Sequence, residues 1–263
     1  MVRFIQSYDE CRDFAAEFFE NPQGLAEAIG DPEGHCVLGV YRGEQMIGLF
    51  SFLLLREECY MELLAGQSRE REAYPEMLSA LERHFPGYGA DFVFNPENTL
   101  LKQALERRGA AFDPEQQKMV LRSPASGAET AGVEPLSDRY AAQYCAMHDP
   151  DMYWTGERVM QAQDRFRTLL AVEGGRVVGY LDATYPFPEN EVFDLLVLEE
   201  YRRRGYGRRL LAKAVEENAP NGMMLLVNVD NAPAIGLYES MGFETVPGRN
   251  SLTAHWTVPG AAD

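Results

Sequence analysis

Apolar residues recur along this chain in short runs broken by glycine. LGVYRGEQMIGLF (38–50) and LAVEGGRVVGYL (170–181) each join two apolar runs through a Gly-containing turn, the pattern of a β-hairpin. YMELLAG (60–66) and VFDLLVL (192–198) are apolar with one acid inside and predict strands. NTLLKQALERRGAAF (98–112) and NAPAIGLYESMGFET (231–245) predict helices closed by a C-terminal glycine. The segments come in pairs, offset by about 132 residues. Glu62 falls opposite Asp194, Asn98 opposite Asn231, Glu106 opposite Glu239 and Gly109 opposite Gly242. Matched segments in one order predict a duplicated domain. Each half reads as helices, hairpin, strand, helix, strand, helix and a final hairpin. SPASGAETAGV (Ser123 to Val133) reads as the linker, so the expected domains are 1–125 and 126–263.

Glu191–Leu198 predicts a strand and Leu210–Glu217 a helix. Between them, YRRRGYGRRLL (Tyr201 to Leu211) gathers five arginines and two glycines. Backbone N–H groups at a helix start lack partners and, with the helix dipole, attract anions. Gly205 and Gly207 let a ligand approach the backbone, and the arginines add forked donors. The turn suits a pyrophosphate, although it matches neither GxxxxGK[ST] nor GxGxxG.

LLVLEEYRRRGYGRRLL resembles the acetyl-CoA motif of the GCN5-related N-acetyltransferase (GNAT) superfamily, Q/R-x-x-G-x-G/A between a strand and a helix. Arg202, Gly205 and Gly207 fill its positions, while Glu199 stands where proline is usual. LLVNVDNAPAIGLYESMGF (Leu225 to Phe243) resembles the family's second block. The resemblance covers about 130 residues strongly and reaches the first half through the repeat. It implies an α/β (mixed α+β) fold of two tandem GNAT-like domains. Each would be a mostly antiparallel mixed sheet with a splayed central strand pair, flanked by helices. It implies acetyl-CoA as cosubstrate, no metal, and direct attack by a primary amine of a small molecule or peptide on the acetyl group in the C-terminal domain. The cofactor would lie against the main chain of Leu196, Val197 and Leu198. Its pyrophosphate would sit in the turn of Arg202, Arg203, Arg204, Gly205, Tyr206, Gly207 and Arg208. Asn231 would fix the pantetheine side and the helix start. Tyr238 would protonate the leaving thiolate, and a backbone N–H near Val197 would hold the oxyanion.

Glu191 is either the base, directly or through water, or a solvated strand-end charge. Period-2 alternation puts Glu191, Phe193, Leu195 and Val197 on one face and Asp194, in a structural role, on the other. HDPDMYWTGE (His148 to Glu157) is the expected acceptor loop. Asp149, Asp151, Tyr153 and Trp154 would seat a cationic amine by charge and cation–π contact, or the loop only packs between helices. Carrying the repeat through the chemical positions sets Arg202 against Glu70, Gly205 against Ala73, Gly207 against Pro75, Glu191 against Cys59 and Tyr238 against Leu105. A silent N-terminal domain is expected. A CoA-binding sensor or scaffold without turnover is the competing expectation.

Composition narrows this picture. The chain has 263 residues, 46% of them hydrophobic, enough for two cores. Its net charge of −17 argues against nucleic-acid binding, which needs phosphate neutralisation. That charge fits a cationic acceptor, or solubility alone. Cys11, Cys36, Cys59 and Cys145 lack CxxC or zinc spacing, and the four histidines are scattered, so free thiols and no metal are expected. No apolar run approaches the roughly 18 residues of a membrane span, and no signal peptide is visible. The cytoplasm is the expected location, with the chain a monomer holding an internal pseudo-dimer, or a homodimer.

Overall fold

The structure, a computed structural model, describes residues 1–19, 22–125, 127–150 and 153–260. The chain divides into two compact units, Met1–Glu115 with Ser251–Asp263, and Gln116–Asn250. The first carries β1 (Val2–Phe4), α1 (Arg12–Phe18), α2 (Pro22–Gly30), β2 (His35–Arg42), β3 (Gln45–Leu55), β4 (Tyr60–Ser68), α3 (Ala73–His84), β5 (Gly89–Phe94), α4 (Thr99–Glu106) and β6 (Ala111–Phe112). The second carries β7 (Gln116–Leu121), β8 (Val133–Pro135), α5 (Ala141–Cys145), α6 (Gly156–Gln161), β9 (Phe166–Glu173), β10 (Arg176–Thr184), β11 (Glu189–Val197), α7 (Tyr206–Asn218), β12 (Gly222–Asn228), α8 (Ala232–Ser240) and β13 (Phe243–Thr245). The last strand, β14 (Leu252–Thr257), belongs to the first unit. Among the described residues no helix is long and apolar enough to cross a membrane.

Each unit holds a seven-stranded mixed sheet, ordered β1-β2-β3-β4-β5-β14-β6 in the first and β8-β9-β10-β11-β12-β7-β13 in the second. The two orders are the same pattern, with the sixth place filled from the other half of the sequence. The expected final hairpins are therefore replaced. β6 pairs with β14, and β7 pairs with β12 and β13. The expected division at 125/126 moves to 115/116, and 251–263 returns to the first unit. Alternation announces a strand but not which sheet it joins, so the exchange leaves no mark in the local pattern.

The duplication is visible in the caps. Asn98 and Asn231 each accept from the backbone N–H three residues on, at 3.1 and 3.2 Å, starting α4 and α8. The offset, however, is not uniform. β4 pairs with β5 from Tyr60–Gly89, and β11 with β12 from Glu189–Gly222. That register makes Glu62, not Cys59, the counterpart of Glu191, and moves Asp194 away from Glu62. In α3, Met77, Leu78 and Leu81 are buried; in α7 the matching set is Leu210, Leu211 and Ala214. Burying each leucine contributes about 1.5–3 kcal/mol. This helix register shifts the expected partners by one, so that Gly205 meets Glu72, Gly207 meets Tyr74 and Arg208 meets Pro75. Between strand and helix lie residues 69–72 in the first unit but 198–205 in the second. The first unit's turn is half as long.

Candidate active site

β11 lies between an antiparallel neighbour, β10, and a parallel one, β12. Its pairing with β12 stops at Val192–Leu225, and beyond that point the two strands part. At the same place β11 carries a bulge. Asp194 sits opposite Asp182 and Val192 opposite Ala183, leaving Phe193 unopposed. The bulge resets the alternation. Val192, Leu195 and Val197 pack into the core beneath α7. Leu196 packs on the opposite side, and there the Tyr180 hydroxyl donates to Asp194 at 2.5 Å. Phe193 meets Phe166 edge-on at 5.4 Å on that side too. Glu191 pairs laterally with Met224, between core residues Met223 and Leu225, so it also faces away from α7. Strict alternation thus misplaced Asp194. It shares a face with Glu191, at the mouth of the gap.

The strand edge along the gap can be read from the register. The Leu198 N–H donates to Val178 O at 2.9 Å, and Leu196 lies opposite Tyr180. Leu196 and Leu198 therefore direct their main-chain groups toward β10, while those of Leu195 and Val197 face the gap. The Val197 carbonyl accepts from Arg202 Nε at 3.0 Å, fixing the start of the turn to the strand. Among the three positions expected to lie along the cofactor, Val197 is the one with its N–H on the open edge.

The turn itself is built from left-handed residues. Arg203 has φ +61° and Gly205 φ +84°, and Gly205 ends the turn as the N-cap of α7 without any side-chain cap. The first main-chain bond of the helix is Arg209 N–H to Gly205 O. Among the described residues, the N–H groups of 203–208 make no backbone hydrogen bond. Six successive amides around a left-handed bend form a concave anion nest. The arginines divide their work. Arg208 donates to Ser240 Oγ, and Arg209 to the carbonyls of Ala131 and Arg204. Arg204 lies 5.1 Å from the Tyr201 ring and 3.9 Å from Glu173. Much of the arginine cluster is therefore scaffolding for the loop, and its amides are left without backbone partners. In the first unit the short turn offers less. The Ala73 N–H is bonded to Glu70 O, and Pro75 has no N–H.

Tyr238 projects from α8 and is 8% exposed, packed against Phe243. Burial, then the charge of Asp194, push its phenol up to about 12. Glu191 is half-buried. Burial raises its carboxyl above the usual 4.5, opposed by Arg165 and Lys118. Its backbone N–H donates to Thr184 Oγ1 at 2.7 Å. Of the expected acceptor loop, Asp149 is exposed and Asp151 lies outside the described residues. Tyr153 and Trp154 are edge-on to each other at 5.4 Å. Arg158 lies 4.4 Å from the Tyr153 ring, and Arg165 5.2 Å from that of Trp154. Each ring thus already carries one of the protein's own cations. His148, at the start of the expected acceptor loop, and Asp182, Tyr144 and Tyr180, which no sequence pattern singles out, meet Asp194 on this face. They are scattered over 144–194, and the bulge that aims Asp194 at them has no sequence signature.

Residues 133–243 match the family model described as Acetyltransferase (GNAT) family. The chain is 31% identical over 83 residues to the [Ribosomal protein bS18]-alanine N-acetyltransferase of Escherichia coli, covering 30% of this chain and 56% of that one. It is 41% identical over 81 residues to the N-alpha-acetyltransferase RimI of Mycobacterium tuberculosis, covering 29% and 51%. It therefore spans about half the length of these curated relatives. In fold it is similar to a tandem GNAT protein from the clavulanic acid biosynthesis pathway, with TM-score 0.60 and 15% identity over 100% of both chains. It is likewise similar to a GCN5-related N-acetyltransferase from Sphaerobacter thermophilus, with TM-score 0.64 and 13% identity over 100% of this chain and 97% of that one.

Proposed function

We propose that the second unit, whose residues 133–243 match the GNAT family model, is an acetyl-CoA-dependent N-acetyltransferase acting on a primary amine. The observation that carries the reading is the strand gap opening beside an uncapped nest of six amides. A pantetheine arm extends along the open edge of β11 as an added strand would, with the CoA pyrophosphate on the amides of 203–208. The acyl carbon then lies along this open edge, where the Val197 N–H is an oxyanion donor. Asn231 holds the start of α8 and so the position of Tyr238.

Four events make up the reaction. The amine loses a proton to Glu191, directly or through water. The neutral nitrogen attacks the thioester carbon, forming the C–N bond and an oxyanion. The C–S bond breaks as the oxyanion collapses. The CoA thiolate takes a proton from Tyr238, whose raised pKa keeps it protonated at neutral pH, and the second proton shed by the acetylated nitrogen restores the phenol, directly or through water. The first unit is proposed to be catalytically silent. That reading is supported by its shortened turn, by Leu105 at the position of Tyr238, and by Pro75 in the helix start.

The test follows free thiol release from acetyl-CoA with a panel of amines, including peptide N-termini and polyamines. Turnover in the wild type, with CoA affinity lost in Gly205→Glu, is the expected result. Tight CoA binding with no turnover on any amine would instead favour a sensor. Unchanged CoA affinity in Gly205→Glu would remove the nest assignment.

A further inference from the structure

On the face of β10 and β11 turned away from α7, three ligand atoms converge. They belong to His148, Asp182 and Asp194 and lie within 4.8 Å of one another. The Asp182 side chain is fully buried, and that of His148 is 5% exposed. Nε2 of His148 is 3.4 Å from Asp182 Oδ2 but does not form a hydrogen bond, and among the described residues it has no hydrogen-bond partner. The neighbouring hydroxyls are engaged. Tyr144 donates to both Asp182 oxygens at 3.0 and 2.9 Å, and Thr168 donates to Oδ1. Tyr180 donates to Asp194. The second nitrogen of His148 donates to the Trp154 carbonyl. The imidazole is locked in place, stacked 4.4 Å from Tyr180 and edge-on to Tyr144 at 4.6 Å.

The consequence is chemical. With its other nitrogen donating, the neutral imidazole offers a lone pair at Nε2. That lone pair and two carboxylates point at one another with no donor among them. Burying such acceptors together without a cation is costly. The scaffold does not demand the arrangement. By sheet register the first unit has Ser51 and Ala65 where the second has Asp182 and Asp194. The hydroxyl donors on the carboxylates and the carbonyl behind the imidazole are the outer partners that orient metal ligands.

We propose that His148 Nε2, Asp182 and Asp194 form a binding site for a divalent first-row transition metal, one nitrogen and two oxygens being a donor set that suits Zn²⁺ or Mn²⁺. The ion would tie the segment after α5 to β10 and β11. His255 provides the contrast within the molecule. Its two nitrogens face Asp91 and Asp113 at 2.7 and 3.0 Å, so both are already engaged and it offers no free lone pair.

The test uses the untagged full chain, stripped with chelator and titrated with Zn²⁺ by calorimetry, with Co²⁺ absorption as a second readout. One ion per chain is expected. Removing a ligand in His148→Ala or Asp194→Asn should weaken binding at least tenfold. Tyr180→Phe should weaken it about 10- to 100-fold, as loss of an outer partner does. His255→Ala should leave it unchanged. Two ligand variants guard against misfolding of one, since circular dichroism reports which retain structure. Absence of stoichiometric binding, or binding that survives both ligand substitutions, would overturn the proposal.

Discussion

Gly109 and Gly242 occupy matching positions after α4 and α8, with φ of +75° and +93°. Alanine at either pays the left-handed penalty, about 1–2 kcal/mol. The surroundings differ. A Cβ on Gly109 meets nothing within 4 Å, whereas one on Gly242 would lie 1.8 Å from Ser123 O. Making room means moving the chain at 122–125. That chain is held there by Arg122 and Ser123 N–H to Gly242 O at 2.9 and 3.3 Å, and by Ala125 N–H to Met241 O at 3.3 Å. Losing two of these adds about 1–3 kcal/mol. Gly242→Ala should therefore cost about 2–5 kcal/mol, against about 1–2 for Gly109→Ala. The two tryptophans make the comparison direct, since Trp154 reports on the second unit and Trp256 on the first. With the other tryptophan replaced by phenylalanine, urea unfolding is followed by fluorescence. A difference of about 2 kcal/mol moves a midpoint by roughly 1 M at ordinary slopes. Equal costs at the two glycines would refute the steric argument.

Four further outcomes are expected. Tyr238→Phe should lower kcat about 100-fold or more while leaving CoA affinity, read by calorimetry, unchanged; an equal loss of both would make Tyr238 a packing residue. Glu191 must be ionised to accept a proton, so kcat/KM should fall as pH drops through its burial-raised pKa, above the usual 4.5. Glu191→Gln should abolish that limb, and its persistence would exclude Glu191 as base. Burial lowers the His255 pKa, but hydrogen bonds to Asp113 and Asp91 outweigh it and leave the value above 6.5. Its contribution is full below the unfolded value and lost as pH rises through the folded one, so His255→Gln should destabilise more at pH 6 than at pH 9, as thermal unfolding would show. Pro75→Ala should leave CoA binding untouched; a large loss would end the case for a silent first unit.

The sequence held the duplication, the strand–turn–helix order and the cofactor turn, because each rests on local periodicity and on residues with special backbone needs, such as Gly205 and Gly242. It did not hold the bulge at Phe193. One extra residue shifted Asp194 to the face of Glu191 without altering the apolar run around it. It also hid the change of register between Glu62 and the α3 helix, since a constant offset of about 132 aligns chemically similar residues across a four-residue difference in turn length. The His148 cluster depends on sheet register and on where a helix end deposits one imidazole, quantities no local pattern encodes.

The traded sixth strands carry a consequence for synthesis on the ribosome. Domains made in tandem ordinarily fold from the N-terminus onward. Here the second sheet has all its strands once residue 245 has emerged, because β7 is already made by then. The first sheet must wait for β14. The unit that begins first therefore finishes last, holding β5 with one unpaired edge for the time needed to translate about 160 further residues. A change near residue 255 would be felt as misfolding of a domain whose other strands were made long before.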